Sequence, residues 1–246
     1  MPSNTNKVSR LERKFYDDIL VQLQAGIEAK ELGLVLEGLV PLMFELPQHD
    51  RRQGIHPSEL SGCARRAYYS AIGAESQGSR WVEPKLAVGS IIHELIQRQF
   101  RSNEFYQVRS EIPIDDTEFA QKHYLVGHCD LGFYVDNRPV LGMEIKSGTI
   151  YIKTPEDHLI QGTVYQKCLE FPYMWYFYVD RNWDKWKCLI LSAPDESIIA
   201  KIQDKCRMLL SHIIGRIPPK PEFGYFVCNY ICNYYYLCKP ETKNAA

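Results

Sequence analysis

Residues 124–147, YLVGHCDLGFYVDNRPVLGMEIKS, constrain the fold more than any other stretch of the chain. Two runs rich in apolar residues flank Asp136, Asn137 and Arg138, the pattern of antiparallel strands joined by a tight connection. In the second run Leu141, Met143 and Ile145 share one parity, and Glu144 and Lys146 the other. A strand therefore sends three apolar side chains to one face and both charges to the opposite one. A loop of Asp136, Asn137 and Arg138 pairs residue 135 with 139 and places Asp130 opposite Glu144. Directly opposed carboxylates destabilise a sheet, so this register makes sense where something positive sits between them. A slip of one residue would put the two acids on opposite faces. The competing explanation is a half-exposed edge strand with a surface ion pair, which stabilises little.

The neighbouring segments extend the pattern. YQVRSEIPI (106–114) adds a strand before the hairpin, and YMWYFYVD and KWKCLILSA, joined by RNWD, add two more after it. Between them TPEDHLIQGTVYQKCLEF predicts a helix, with Thr154 as N-cap, Pro155 at the first helical position and Asp157 three residues after the cap. Ile160, Val164 and Cys168 recur every fourth residue as a core stripe, beside the i, i+4 pair Gln161 and Tyr165. Further helices are expected over 8–45, 84–100 and 195–213, and Pro57 and Ser58 open a turn in the link QHDRRQGIHPSEL. The order of helices, three strands, helix, two strands and helix predicts an α/β protein, a central mixed sheet with helices packed on it. The expected organisation is an N-terminal helical segment (1–54), a main domain (55–240) and a flexible tail (241–246).

Composition bounds the chemistry. Among 246 residues, 29 are basic and 30 acidic, for a net charge of −1, so any polyanion-binding surface has to be local. The apolar run LGLVLEGLVPLMF is broken by Glu37 and Pro41 and is too short to span a bilayer. The leading MPSNTNKVSRLERKF lacks the apolar core of a secretory signal, so a cytoplasmic location is expected. In that compartment eight cysteines argue for thiol chemistry or metal ligation rather than a disulfide scaffold. Cys63 stands alone, Cys129, Cys168, Cys188 and Cys206 are scattered as small core residues, and Cys228, Cys232 and Cys238 crowd together in FVCNYICNYYYLC. Three such thiols invite a fourth, and soft thiolate ligands in a tetrahedral set mean zinc or an iron–sulfur cluster; spacing leaves both open. The tyrosines around them either shield that group or stack unpaired bases.

Phosphodiester hydrolysis needs charge neutralisation at the phosphate and a nucleophilic water, and a cation held by carboxylates supplies both. Asp130 and Glu144 suit magnesium or manganese, which prefer oxygen ligands. Lys146, on the same strand face as Glu144, is placed to orient or deprotonate the attacking water.

G-H-C-D at 127–130, E-I-K at 144–146 and Q-G-T-V-Y at 161–165 together resemble the PD-(D/E)xK nuclease core in its RecB-like form, with its restriction-endonuclease-like fold. The resemblance covers about residues 55–240. It implies that His93 (in GSIIHEL), Asp130, Glu144 and the Ile145 carbonyl hold Mg2+ or Mn2+ and that Lys146 is catalytic. Gln161 and Tyr165 would position the nucleic-acid backbone or the lysine. Glu111 resembles the acid often found on the first core strand. In the iron–sulfur branch, which includes AddB-type helicase-nucleases and the fourth family of CRISPR-associated proteins, one upstream cysteine joins three near the C-terminus around a [4Fe–4S] cluster. Cys63 with Cys228, Cys232 and Cys238 fits that set, although the close pair here is C-x-x-x-C rather than C-x-x-C. The implied function is an exonuclease acting on single-stranded DNA or duplex ends. Arg65 and Arg66 are candidate DNA contacts, and the N-terminal helices are candidates for capping the nuclease or binding a protein partner. The alternatives are a non-catalytic DNA-binding subunit of a repair, replication or CRISPR-adaptation complex, and zinc at the cysteines.

Overall fold

The computed structural model describes residues 53–76, 83–180, 185–191, 194–222, 228 and 232–242. The helices expected over 8–45 lie outside the described residues. In chain order, a 3-10 turn at Pro57–Glu59 leads to helices α1 (Ala64–Ala71) and α2 (Glu83–Gln99), then β1 (Gln107–Pro113), α3 (Glu118–His123), β2 (His128–Val135) and β3 (Arg138–Ser147). α4 (Glu156–Leu169), β4 (Tyr173–Val179), β5 (Trp186–Leu191), α5 (Glu196–Gly215) and α6 (Tyr235–Thr242) complete it. α6 runs into the stretch expected as a tail.

The five strands form one sheet in sequential order. Every neighbouring pair is antiparallel except β3 and β4, which are parallel. A parallel pair cannot be closed by a hairpin, and α4 is the crossover that joins it. This is the mixed sheet flanked by helices that the order of elements predicted, and it is consistent with the restriction-endonuclease-like core that the resemblance implied.

The hairpin pairing corrects the loop and keeps the register. The turn holds two residues, because Val135 already pairs with Arg138, and Asp136 and Asn137 have φ of 51° and 61°. Positive φ at both central positions matches the right-handed twist of the strands. An irregularity between Phe133 and Tyr134 then shifts the ladder by one residue, so that Phe133 pairs with Leu141 and Leu131 with Met143. That is the register a three-residue loop would have set, although the ladder ends at Leu131 and Met143, one residue short of Asp130 and Glu144. The turn and the irregularity cancel.

Each face of the sheet has its own core. Leu131, Phe133, Leu141, Met143, Ile145, Trp175 and Phe177 pack against Ile92 and Ile96 of α2 and Phe100 just beyond it. The other face carries Met174, Tyr176 and Tyr178 under α1, α4 and α5. With both faces covered, β4 is buried over nearly its whole length, which is why YMWYFYV has no polar alternation. Ile160, Val164 and Cys168 are buried as the helical stripe predicted.

Two local features depart from the sequence reading. α4 begins one residue later than expected: Pro155 is the N-cap and makes no side-chain cap, while Thr154 hydrogen-bonds Tyr178 instead. α3 fills the connection after β1, where no element was expected, and β2 begins at His128 rather than at Tyr124. Thr117 accepts from the Ala120 amide, and Tyr124 ends the helix with a φ of 57°. The signal was Thr-Glu in DDTEFAQKH, an N-cap followed by an acid in the first turn.

Candidate active site

β3 and α4 supply four of the expected residues, and the structure ties them into one network. Lys146 Nζ lies 3.0 Å from Glu144 Oε1 and donates to Gln161 Oε1 at 2.6 Å. Gln161 Nε2 donates to Glu144 Oε1 at 2.6 Å and to the Tyr165 hydroxyl at 3.0 Å. An ammonium only donates and a carboxylate only accepts, so these neighbours fix the orientation of the amide. Tyr165 is buried and reaches only inward, which makes it the support of Gln161 rather than a surface contact. Gln161 thus touches both Lys146 and Glu144, and Tyr165 touches Gln161.

α4 can lie this close because residue 162 is glycine. A Cβ there would sit 1.8 Å from the Tyr176 hydroxyl oxygen, and that hydroxyl donates to the His158 carbonyl at 2.7 Å. The contact fixes the height of the helix over the sheet and hence the reach of Gln161.

Asp130 enters from β2. Neither Glu111 nor Glu144 pairs with it in the ladders, and Glu111 has a φ of 51°, so the strand is disturbed there. Its carboxylate accepts from the Ile145 amide at 2.6 Å and lies 3.4 Å from His93 Nδ1 of α2. Gln97, one turn beyond His93, donates to Glu111 Oε1 at 2.6 Å and to the Asp130 carbonyl at 3.2 Å. The sequence reading missed Gln97; its i, i+4 spacing from His93 was the available signal.

Electrostatics mark this cluster as short of positive charge. Burial, then the Asp130 charge, push the Glu144 carboxyl up to about 7 even with Lys146 beside it. Burial works to lower the His93 pKa, but the charge and hydrogen bond of Asp130 outweigh it and the net shift is upward. Glu144 Oε2 is buried without a hydrogen-bond partner. A buried acceptor left unpaired costs roughly 1–3 kcal/mol, and a divalent cation is the group that would satisfy it. The donor set of two carboxylates and one imidazole suits magnesium or manganese. The donors are not drawn into a cage: among the described residues no three His, Cys, Asp or Glu side chains form a metal-holding group.

The thiols expected as a set influence one another's charge, although among the described residues they form no metal-holding group either. Cys63 is the N-cap of α1, and burial raises the thiol pKa of Cys228, Cys232 and Cys238. The charges of Cys63 and Cys232 add to the shift at Cys228, that of Cys63 at Cys232, and those of Cys232 and Cys228 at Cys238. Arg65, read from sequence as a DNA contact, is buried at 4% exposure. It bonds the Pro219 carbonyl and Cys238, which turns it away from solvent and from any phosphate. Arg66 lowers the Cys232 pKa by its charge, and its Nε is buried without a partner. Cys129, Cys168 and Cys206 are buried core thiols, and Cys188 is only partly buried.

Compared as a sequence, the chain matches no family model and no curated protein. Among solved structures it is similar to the protein SSO0001, with 21% identity over 85% of this chain and 96% of that one and a TM-score of 0.52. An alkaline exonuclease (LHK-Exo) from Laribacter hongkongensis matches at 12% identity over 80% and 96% of the two chains, TM-score 0.43. The same enzyme in complex with dAMP matches at 14% identity over 79% and 96%, TM-score 0.43. The likeness to SSO0001 is one of fold. Among the described residues no helix is long and apolar enough to cross a membrane.

Proposed function

We propose that this chain is a divalent-metal-dependent DNA nuclease of the exonuclease type, hydrolysing phosphodiester bonds of single-stranded DNA or duplex ends, with a structural [4Fe–4S] cluster. The observation that carries the reading is the Glu144–Lys146–Gln161 network, with Glu144 Oε2 unpaired and the Glu144 carboxyl within reach of the Asp130 charge. A surface ion pair would not be buried, and a purely structural one would leave no carboxylate oxygen empty.

His93, Asp130 and Glu144 would hold Mg2+ or Mn2+, with the Ile145 carbonyl as a further oxygen. When bound, such a cation neutralises phosphate charge and lowers the pKa of a coordinated water. Gln161 holds Lys146 with its ammonium against Glu144, where it can steady the water and the charge that develops on the phosphate. The four thiols feel one another's charge, and Arg65 and Arg66 lie against them, so the corner is suited to an anionic thiolate-bound group. A cluster of four irons fits thiols spread wider than the tight tetrahedron one zinc ion requires.

The test is incubation of the purified chain with end-labelled single- and double-stranded DNA, and with circular single strands, in Mn2+ or Mg2+ with and without chelator. Cation-dependent release of nucleotides from linear but not circular DNA is expected, from a brown, iron-containing preparation. Binding without cleavage would replace the enzyme by a non-catalytic binding subunit, and a colourless zinc protein would replace the cluster.

A further inference from the structure

Beyond the end of β3 lies an open cavity of about 490 Å3, with Lys146, Ser147, Thr149, Tyr151, His158 and Asp180 in its lining. Lys146 is the one residue it shares with the acid–amine network. Tyr151, His158 and Asp180 have no part in that network.

His158 sits three residues before Gln161 on α4 and is held on several sides. Its ring stacks on Tyr178 with centroids 5.6 Å apart and meets Tyr151 edge-on at 5.6 Å. Nδ1 lies 2.8 Å from the Tyr178 hydroxyl. Burial keeps that hydroxyl protonated, so it has a proton to donate to His158. Burial, then the Lys146 charge, lower the His158 pKa and favour the neutral ring. A neutral imidazole that accepts at Nδ1 carries its hydrogen on Nε2. The nearest carboxylate oxygen, on Asp157, lies 3.8 Å from Nε2, beyond hydrogen-bond reach. With its hydrogen there, Nε2 has no hydrogen-bond partner among the described residues, and His158 lines the cavity.

The rim is of another character. The Tyr151 ring is 36% exposed and Ile152 is 90% exposed, an apolar lip beside a cavity whose lining offers an ammonium, two hydroxyls and an imidazole N–H. A flat apolar ring system joined to an anion answers both. Asp180 on the wall repels the anion and so favours the Lys146 end for it. The volume matches a single small ligand rather than a duplex.

We propose that this cavity is a nucleotide subsite, in which Tyr151 carries the base of the nucleotide next to the scissile phosphate and His158 Nε2, oriented by Tyr178, holds that nucleotide's phosphate beside Lys146. The inference rests on the nuclease reading and adds where the base of its substrate goes.

The experiment uses single-stranded oligonucleotides with a terminal 2-aminopurine nucleotide, bound in Ca2+ so that the DNA stays intact. Wild type and Tyr151→Phe should quench the probe. Tyr151→Leu should lose the quench and bind about tenfold more weakly, the usual scale of one base–aromatic stack. Making the terminal nucleotide abasic should cost the wild type a similar factor and cost Tyr151→Leu nothing further. Adding a terminal phosphate should strengthen binding by the wild type and by His158→Gln, which keeps an N–H donor, and should help His158→Leu about tenfold less. Quenching and affinity of Tyr151→Leu equal to wild type, or an abasic probe bound by wild type at full strength, would overturn the subsite. If the wild type still cleaves DNA in Mn2+ under that result, the nuclease reading survives it; a wild type that neither binds nor cleaves removes both.

Discussion

The acid–amine network and the thiol corner are assembled in opposite ways. The first draws Asp130, Glu144, Lys146, Gln161 and Tyr165 from three successive elements, β2, β3 and α4, and its geometry follows from strand register and the seating of one crossover helix. The second joins Cys63, the N-cap of α1, to Cys228 and Cys232 before α6 and Cys238 within it, and depends on contacts across almost the whole domain. Lys205 of α5 reaches the Gly62 carbonyl at 3.3 Å, Glu222 accepts from the Ala64 amide at 2.8 Å, and Arg65 bonds the Pro219 carbonyl. A site built on neighbouring strands can lose one functional group and keep its scaffold, because sheet hydrogen bonds and the two cores hold the backbone. A site that ties distant segments together is itself part of the scaffold.

The sharpest way to break this contrast is to remove one group from each site. Lys146→Ala should lower DNA cleavage by about 10^3-fold or more, the scale of losing a principal charge-stabilising donor, with far-ultraviolet circular dichroism and melting temperature close to wild type. Wild-type turnover in Lys146→Ala would show that the network is structural. Cys232→Ala should do the reverse: it should lose iron and soluble protein together and lower stability by roughly 3–5 kcal/mol, as for a clip that closes a long loop, measured by urea unfolding under anaerobic conditions. Full iron content in that variant removes Cys232 from the ligand set.

Gly162→Ala tests the seat of the crossover helix. The added methyl collides with the Tyr176 hydroxyl and should destabilise by about 1–3 kcal/mol. Because it lifts Gln161 from Lys146, cleavage should fall more than in a surface variant of equal stability; a proportionate fall would separate helix seating from the site.

The smallest effect concerns protons. In metal-free protein the Glu144 carboxyl is held up at about 7 by burial and Asp130, against about 4.3 in an unfolded chain. Between those values the folded state binds more protons than the unfolded one, so this contribution is fullest at acid pH and is lost as pH rises toward 7. The raised pKa of His93 acts in the same direction through neutral pH. Urea midpoints of wild type should therefore decline relative to Glu144→Gln from pH 4.5 to 7.5, and Mn2+ should flatten the decline. Parallel profiles without metal would mean that the buried acid carries no such strain.

Much of the site was legible in the sequence. The parity of Glu144 and Lys146 and the i, i+4 spacing of Gln161 and Tyr165 are periodic properties, and period alone puts each pair on one face of its element. The same periodicity predicted the α4 core stripe, whereas aromatic enrichment predicted the strand run of β4. It could not show that Asp130 leaves the ladder, because that depends on a left-handed Glu111 on the adjacent strand and on Gln97 capturing the freed carbonyl. Nor could it count the residues in the hairpin turn, where the irregularity at Phe133 and Tyr134 compensates a shorter loop.

Sequence by itself determined which side chains share a face, where a strand or helix is favoured, and which residue types suit oxygen-seeking cations or thiolate-bound metal, since those depend on local geometry and side-chain chemistry. Only the tertiary structure decided that Gln161 holds Lys146, that Arg65 faces a thiol instead of solvent, and that His158 and Tyr151 flank a cavity at Lys146. Those are contacts between segments whose separation along the chain carries no information about their distance in space, and packing of helices on the sheet alone sets that distance.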